Sequence, residues 1–129
     1  MGNGVPYYDF VGGVLSMRPE HWVKLNGMGN NFRGWGAEDD ELFFRMKYNN
    51  FRIKRPQRGY GRFGSFKTDK FHVVEKNKAA YKKNVQMLDN IKRNKKSWKN
   101  DGLNTCQFSV KCVCQRYENE VSIITVSFI

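Results

Sequence analysis

Apolar residues recur along the chain with two periods, and the changes of period mark its elements. Tyr7 to Met17 reads as a β segment interrupted by Gly12-Gly13. A double glycine inside a strand predicts a bend or a close backbone approach to a ligand. Arg18-Pro19-Glu20 opens a short helix, with Pro at an early helical position and Glu in the first turn; it runs to Leu25 and stops at Asn26-Gly27. A loop rich in Gly and Asn continues to Gly36. Leu42, Phe43, Met46 and Tyr48 then fall at helical spacing, so a second helix is predicted from about Glu38 to the Asn49-Asn50 pair. Phe51 to Arg55 alternates as a strand until Pro56 ends it. Gly59 to Thr68 interleaves three glycines with Tyr60, Phe63 and Phe66 and reads as a mobile loop. Within Lys76–Lys99, the residues Ala79, Ala80, Val85, Leu88 and Ile91 form a rough apolar stripe, the mark of a helix with its lysines outward. Two closing strands, Thr105–Arg116 and Glu120–Phe128, alternate well enough for a hairpin across Tyr117-Glu118-Asn119. The layout predicts one α/β domain over residues 1–129, without internal repeats.

Length and charge narrow the classes. A chain of 129 residues is large enough for a core, although a small one. No apolar run approaches membrane-spanning length, and Met1 to Pro6 shows no basic-then-apolar signal pattern, so neither address nor anchor is expected within these residues. The net charge of +11 is unevenly placed: residues 51–100 carry sixteen Lys or Arg against Asp69, Glu75 and Asp89, a balance of +13, whereas each flank comes to −1. Such a block suggests phosphate or sulfate, in nucleic acid, a nucleotide or an anionic glycan. The same lysines also fit the solvated outside of a helix, and the apolar stripe favours that reading for Lys76–Lys99.

Cysteine and histidine add little. Cys106, Cys112 and Cys114 share one strand with no His nearby, a poor zinc set, so buried or free thiols are expected. His21, beside Trp22, reads as a partly exposed polar residue. Asp69 and His72 are three residues apart and could share a divalent cation on one helical turn, a geometry that any Asp-x-x-His has.

The densest chemistry lies in Gly34-Trp35-Gly36-Ala37-Glu38-Asp39-Asp40-Glu41. Four adjacent like charges repel, so their grouping points to a cation or a polar ligand that offsets the repulsion. Placed in the first turn of a helix, they meet free backbone N–H groups and the positive end of the dipole, which favour negative charge there. An ionised Asp held in this way can hydrogen-bond a sugar hydroxyl and accept its proton. Gly34 and Gly36 permit a tight loop that lets a ligand come close, and the face of Trp35 can stack on the apolar side of a pyranose. An ordinary helix start with a solvated acidic turn has the same composition.

Five blocks in a fixed order extend this reading: Phe10-Val11-Gly12-Gly13-Val14, Leu25-Asn26-Gly27-Met28-x-Asn30-Asn31-Phe32, Gly34 to Asp40, Arg55-Pro56 and Asp101-Gly102-Leu103-Asn104. Together they resemble the C-terminal half of the β-1,4-galactosyltransferases across nearly the whole chain. The resemblance implies part of a GT-A-like fold, with a mixed sheet, flanking helices and a closing hairpin. It also implies an inverting transfer of galactose or N-acetylgalactosamine from a UDP-sugar to a glycan acceptor, with Mn²⁺ or Mg²⁺, by a type II membrane protein of the Golgi lumen. By position, Asp39 resembles the base on the acceptor hydroxyl, Glu38 and Asp40 its partners in holding the acceptor, and Trp35 the aromatic that contacts donor and acceptor. Phe10, Gly12 and Gly13 fall on the donor side, and Phe10 stands where galactose-specific members carry a Tyr.

Besides Phe10, two further features depart from the family pattern. The metal-binding Asp-x-Asp lies upstream of the Gly-Gly segment in the family, so these residues alone are expected to lack the donor-binding half and to be inactive in transfer. The family's Met and His metal ligands fall without gaps on Ser65 and Thr68, and a four-residue insertion brings them to Asp69 and His72. An oxygen ligand in place of sulfur favours Mg²⁺ or Mn²⁺. The other class of function is a basic module that binds an anionic glycan or nucleic acid without catalysis. Four clustered carboxylates suit nucleic acid poorly, so no nucleic-acid partner is expected, and a membrane is expected only through an anchor outside these residues.

Overall fold

The computed structural model describes residues 7–57, 60, 78–116 and 121–128. Most of the segment Gly59–Thr68, the pair Asp69 and His72, and the turn Tyr117–Asn119 lie outside the described residues. Helix α1 spans Pro19–Lys24, α2 Glu38–Tyr48 and α3 Lys78–Arg93. Two 3₁₀ turns follow at Ser97–Asn100 and Leu103–Thr105, and strands β1 (Phe108–Arg116) and β2 (Val121–Phe128) close the order.

Local chemistry sets these boundaries. Pro19 begins α1 where a missing N–H is harmless, and Asn26 (φ 58°) with Gly27 (φ 64°) ends it by turning left-handed. At the far end of α2 the side chain of Asn49 donates to the Arg45 carbonyl at 2.8 Å, and Asn50 turns left-handed at φ 58°. Val11, Leu25, Leu42 and Met46 form the buried core, with Met17, Trp22, Phe51 and Ile53 packed around it. Leu88 and Ile91 of α3 are buried, as is Trp98 in the first 3₁₀ turn. The hairpin pairs antiparallel, and a shift between Val110 and Cys112 sets Val110 opposite Val126 and Val113 opposite Ile124. All three cysteines are free, and Cys112 and Cys114 are exposed.

Two expected strands do not form. Tyr7–Met17 and Phe51–Arg55 are irregular, so the sheet of the described residues is a two-stranded antiparallel hairpin and not the mixed sheet expected. A strand exists only where a ladder satisfies its backbone, and the described residues offer these segments no such partner. Alternation survives without the ladder: Phe51, Ile53 and Arg55 are half-buried, while Arg52 and Lys54 are exposed. Arg55 ties the two segments together by donating to the carbonyls of Tyr8 and Phe10, each at 2.8 Å.

The blocks at Asn26–Asn31 and Asp101–Asn104 meet around one buried cation. Arg45 is fully buried, and its Nε lies 2.5 Å from Glu41 Oε1. Its remaining donors reach the carbonyls of Asn26 at 2.9 Å and Asp101 at 2.7 Å. The Asp101 carboxylate in turn accepts the backbone N–H groups of Asn30 at 3.0 Å and Asn31 at 3.3 Å. Gly102, at φ 150°, passes so near that an added Cβ would lie 1.9 Å from the Asn26 carbonyl oxygen. Glu41 is therefore an internal counterion, and it stands apart from the other three acids of its run. Burial pushes its carboxyl above the ordinary range, against the opposing pull of Arg45.

Candidate active site

A cavity of about 1180 Å³ opens between the N-terminal segment, the start of α2 and the first turns of α3. The loop before α2 shapes its rim. Gly34 (φ 69°), Gly36 (φ 110°) and Ala37 (φ 71°) are all left-handed, so the chain reverses sharply and holds the Trp35 indole 46% exposed. The indole stacks on Tyr81 of α3 with centroids 5.9 Å apart and planes 20° apart. A Cβ at Gly36 would come within 2.6 Å of the Tyr81 ring, so glycine permits this approach. Asn84, buried one turn further along α3, fixes the loop from beneath. Its amide donates to the carbonyls of Arg33 and Gly36, both at 2.9 Å, and its oxygen accepts the Arg33 N–H at 3.3 Å.

Each acid in the first turn of α2 has a distinct setting. Glu38 Oε2 accepts the Gly36 N–H at 2.8 Å, which closes the loop onto the helix. Asp39 Oδ1 accepts the Asp40 N–H at 3.0 Å. The other oxygen of Asp39 faces Gly12 so closely that a Cβ there would lie 2.5 Å from it. Asp40 Oδ1 accepts the Tyr7 hydroxyl at 2.6 Å. Partial burial, the bond to Asp40 and the nearby carboxylates of Asp39, Asp40 and Glu38 raise the Tyr7 phenol well above its ordinary range, so it stays protonated as a donor.

Phe10, Gly12, Gly13, Trp35, Glu38, Asp39 and Asp40 thus all line one cavity. Asp69 and His72 lie outside the described residues. Among the described residues, no three of His, Cys, Asp and Glu gather closely enough to hold a metal ion. Sequence reasoning missed Tyr7, Tyr81 and Asn84. Tyr81 carried a signal as the one aromatic in α3, and Asn84 carried another as a polar residue one helical turn from both Ala80 and Leu88 of the apolar stripe. Nothing local distinguished Tyr7 from its neighbour Tyr8.

Comparison with known proteins adds the family. Residues 2–70, more than half of the chain, match the family described as the N-terminal domain of galactosyltransferase. The chain belongs to this galactosyltransferase family. It is 32% identical over 112 residues to β-1,4-galactosyltransferase 4 of Mus musculus, an alignment that covers 87% of this chain and 30% of that protein. Against β-1,4-galactosyltransferase 3 of Homo sapiens the identity is 30% over 109 residues, covering 84% and 26%. The chain therefore spans about 30% of the length of these curated relatives. Among solved structures it resembles the catalytic domain of Drosophila β1,4-galactosyltransferase 7 in complex with xylobiose, with a TM-score of 0.58 at 21% identity. That alignment covers 98% of this chain and 52% of the Drosophila chain. A mutant of the same protein, in complex with manganese, UDP-Gal and xylobiose, aligns equally well. The fold of this family member is thus that of part of a galactosyltransferase catalytic domain. The cavity residues from Tyr7 to Leu42 lie within the matched span, whereas Tyr81 lies beyond it.

Proposed function

We propose that this chain supplies the acceptor-binding and base portion of an inverting hexosyltransferase that uses a UDP-sugar. The single observation that carries the proposal is the Asp39 carboxylate, held by the first turn of α2 and set in a cavity roofed by a half-exposed indole. Trp35 and Tyr81 offer aromatic surface to the apolar face of a pyranose. Glu38 and Asp40, each with one oxygen already bonded to Gly36 or Tyr7, keep the other for sugar hydroxyls. An acceptor hydroxyl that donates to Asp39 gives up its proton there as its oxygen forms the new glycosidic bond, the base role that a single displacement requires. Phe10, Gly12 and Gly13 form the opposite wall, which we assign to the donor sugar, galactose or N-acetylgalactosamine.

Family membership and the manganese and UDP-Gal bound by the Drosophila relative support a divalent ion, Mn²⁺ or Mg²⁺, in the complete reaction. Such an ion would neutralise the departing diphosphate. The described residues do not form a site for it, so Asp69 and His72 are the ligands we propose from this chain, and no step here is assigned to the metal. We take residues 1–129 as one unit of a larger catalytic domain, a reading supported by the 52% coverage of the Drosophila chain. We place it in the Golgi lumen with any membrane attachment outside these residues; no helix among the described residues is long and apolar enough to cross a membrane. The test is titration of the chain with xylobiose and other pyranosides. Binding lost in Asp39→Asn and unmoved by substitutions from Lys92 to Lys96 is the expected result. Equal binding by Asp39→Asn refutes the assignment.

A further inference from the structure

The cavity leaves the basic half of the molecule unexplained. Lys82 and Lys83 follow Tyr81, which lines the cavity, and turn about 100° and about 200° away from it around α3, so the cationic strip begins one residue past the rim and outside the cavity lining. From there α3 carries the chain to Arg93, a rise of about 16 Å at 1.5 Å per residue. Five of the eight residues from Lys92 to Lys99 are Lys or Arg, with no acid among them. Asp89 is the one acid of α3, and it is engaged by Lys92 at 3.7 Å. Lys82, Lys83, Arg93, Lys95 and Lys96 are exposed and have no carboxylate of the described residues within salt-bridge distance. Unpaired cations at this density repel one another, and a polyanion laid along them removes the repulsion and releases counterions.

We propose that this strip is an exosite for an anionic glycan: the sulfated or phosphorylated body of an acceptor chain whose terminal sugar occupies the cavity. The proposal rests on the sugar-binding reading of the cavity for its choice of a glycan over nucleic acid. Continuity is the second ground, since Tyr81 stacks on Trp35 at the rim and shares α3 with Lys82, Lys83 and Arg93 of the strip. Specificity for the acceptor would then reside on both sides of Tyr81, with stacking and hydroxyl contacts in the cavity and charge outside it.

The test uses the full chain and a labelled heparin octasaccharide as the polyanion, followed by fluorescence anisotropy. Five ion contacts predict that raising salt from about 50 to about 150 mM weakens binding on the order of a hundredfold. Replacing Lys82, Lys83, Arg93, Lys95 and Lys96 together by Gln should abolish binding at the lower salt and leave the thermal unfolding midpoint unchanged. Lys92 and Lys99 stay in place because they lie over the rings of Phe44 and Trp98. Neutral dextran should not displace the labelled heparin. Undiminished heparin binding by the five-fold variant overturns the proposal, and so does a DNA duplex of equal charge that displaces heparin at lower concentration. The readout needs no sugar in the cavity, so a failure here leaves the Asp39 assignment standing, and the failure of that assignment leaves the charge measurement intact.

Discussion

Replacing Asn84 by Ala tests whether α3 holds the tryptophan loop in place. Three hydrogen bonds disappear, two donated to the carbonyls of Arg33 and Gly36 and one accepted from the Arg33 N–H. At about 1 kcal/mol each the loss is roughly 3 kcal/mol, offset by about 0.5 kcal/mol because Ala is the better helix former. A net loss of about 2.5 kcal/mol in a domain of this size lowers the unfolding midpoint by about 10 °C. The loss is also local. Freed from its lower anchor, the loop from Gly34 to Ala37 keeps three left-handed residues with fewer restraints, and Trp35 should slide off Tyr81. Calorimetry measures the first effect. Acrylamide quenching measures the second, with Trp35→Phe identifying the contribution of Trp35 among the three tryptophans. Gln86→Ala, an exposed change on the same helix, is the control and should stay within about 0.5 kcal/mol. A change below about 0.5 kcal/mol in Asn84→Ala, with quenching unaltered, would refute the clamp.

Gly12→Ala sets a Cβ 2.5 Å from Asp39 Oδ2 and 2.7 Å from the Phe10 ring, so sugar binding should fall at least tenfold while unfolding shifts by about 1–3 kcal/mol of overpacking; unchanged titration with xylobiose would contradict the close approach. Arg45→Met strands the buried Glu41 carboxylate and should destabilise by about 3–5 kcal/mol in urea unfolding. Because the folded-state Glu41 carboxyl is raised from its ordinary 4.5, the stability it contributes is present at low pH and lost as pH rises through the folded value. Arg45→Met should therefore steepen the loss with rising pH, and adding Glu41→Gln should flatten it; parallel pH profiles for the two variants would exclude Glu41 as the source.

Much of this architecture was readable because its signals are local. Pro19, Asn26-Gly27 and Asn49-Asn50 punctuate the helices within one turn of where they begin or end, and the stripe through Leu88 and Ile91 needs only one helix to be seen. Strand pairing is not local: Phe51–Arg55 kept its alternation, yet no ladder partner exists among the described residues. The acid run shows a subtler limit. Four consecutive residues at about 100° each point in every direction around a helix, so one of them had to face inward. Glu41 faces inward because Arg45 stands four residues on and reaches the carbonyls of Asn26 and Asp101, a meeting of segments that no local pattern reveals. Gly12, Gly13, Trp35, Glu38, Asp39 and Asp40 were legible as candidates because glycine, indole and carboxylate chemistry concentrates in two short stretches, whereas Phe10 came only from the family resemblance. Tyr81 came from the region dominated by lysine, where one aromatic is easily passed over.

The central claim, a sugar held beneath Trp35 and hydrogen-bonded to Asp39, is tested most directly by the indole N–H resonance of Trp35. Trp22, Trp35 and Trp98 give three such signals, and Trp35→Phe assigns the one of interest. On addition of xylobiose the Trp35 signal should move progressively in the native chain, and Asp39→Asn should weaken the titration at least tenfold, about 1.4 kcal/mol. A Trp35 signal that stays fixed in the native chain at saturating pyranoside, or that moves equally in Asp39→Asn, would contradict the account.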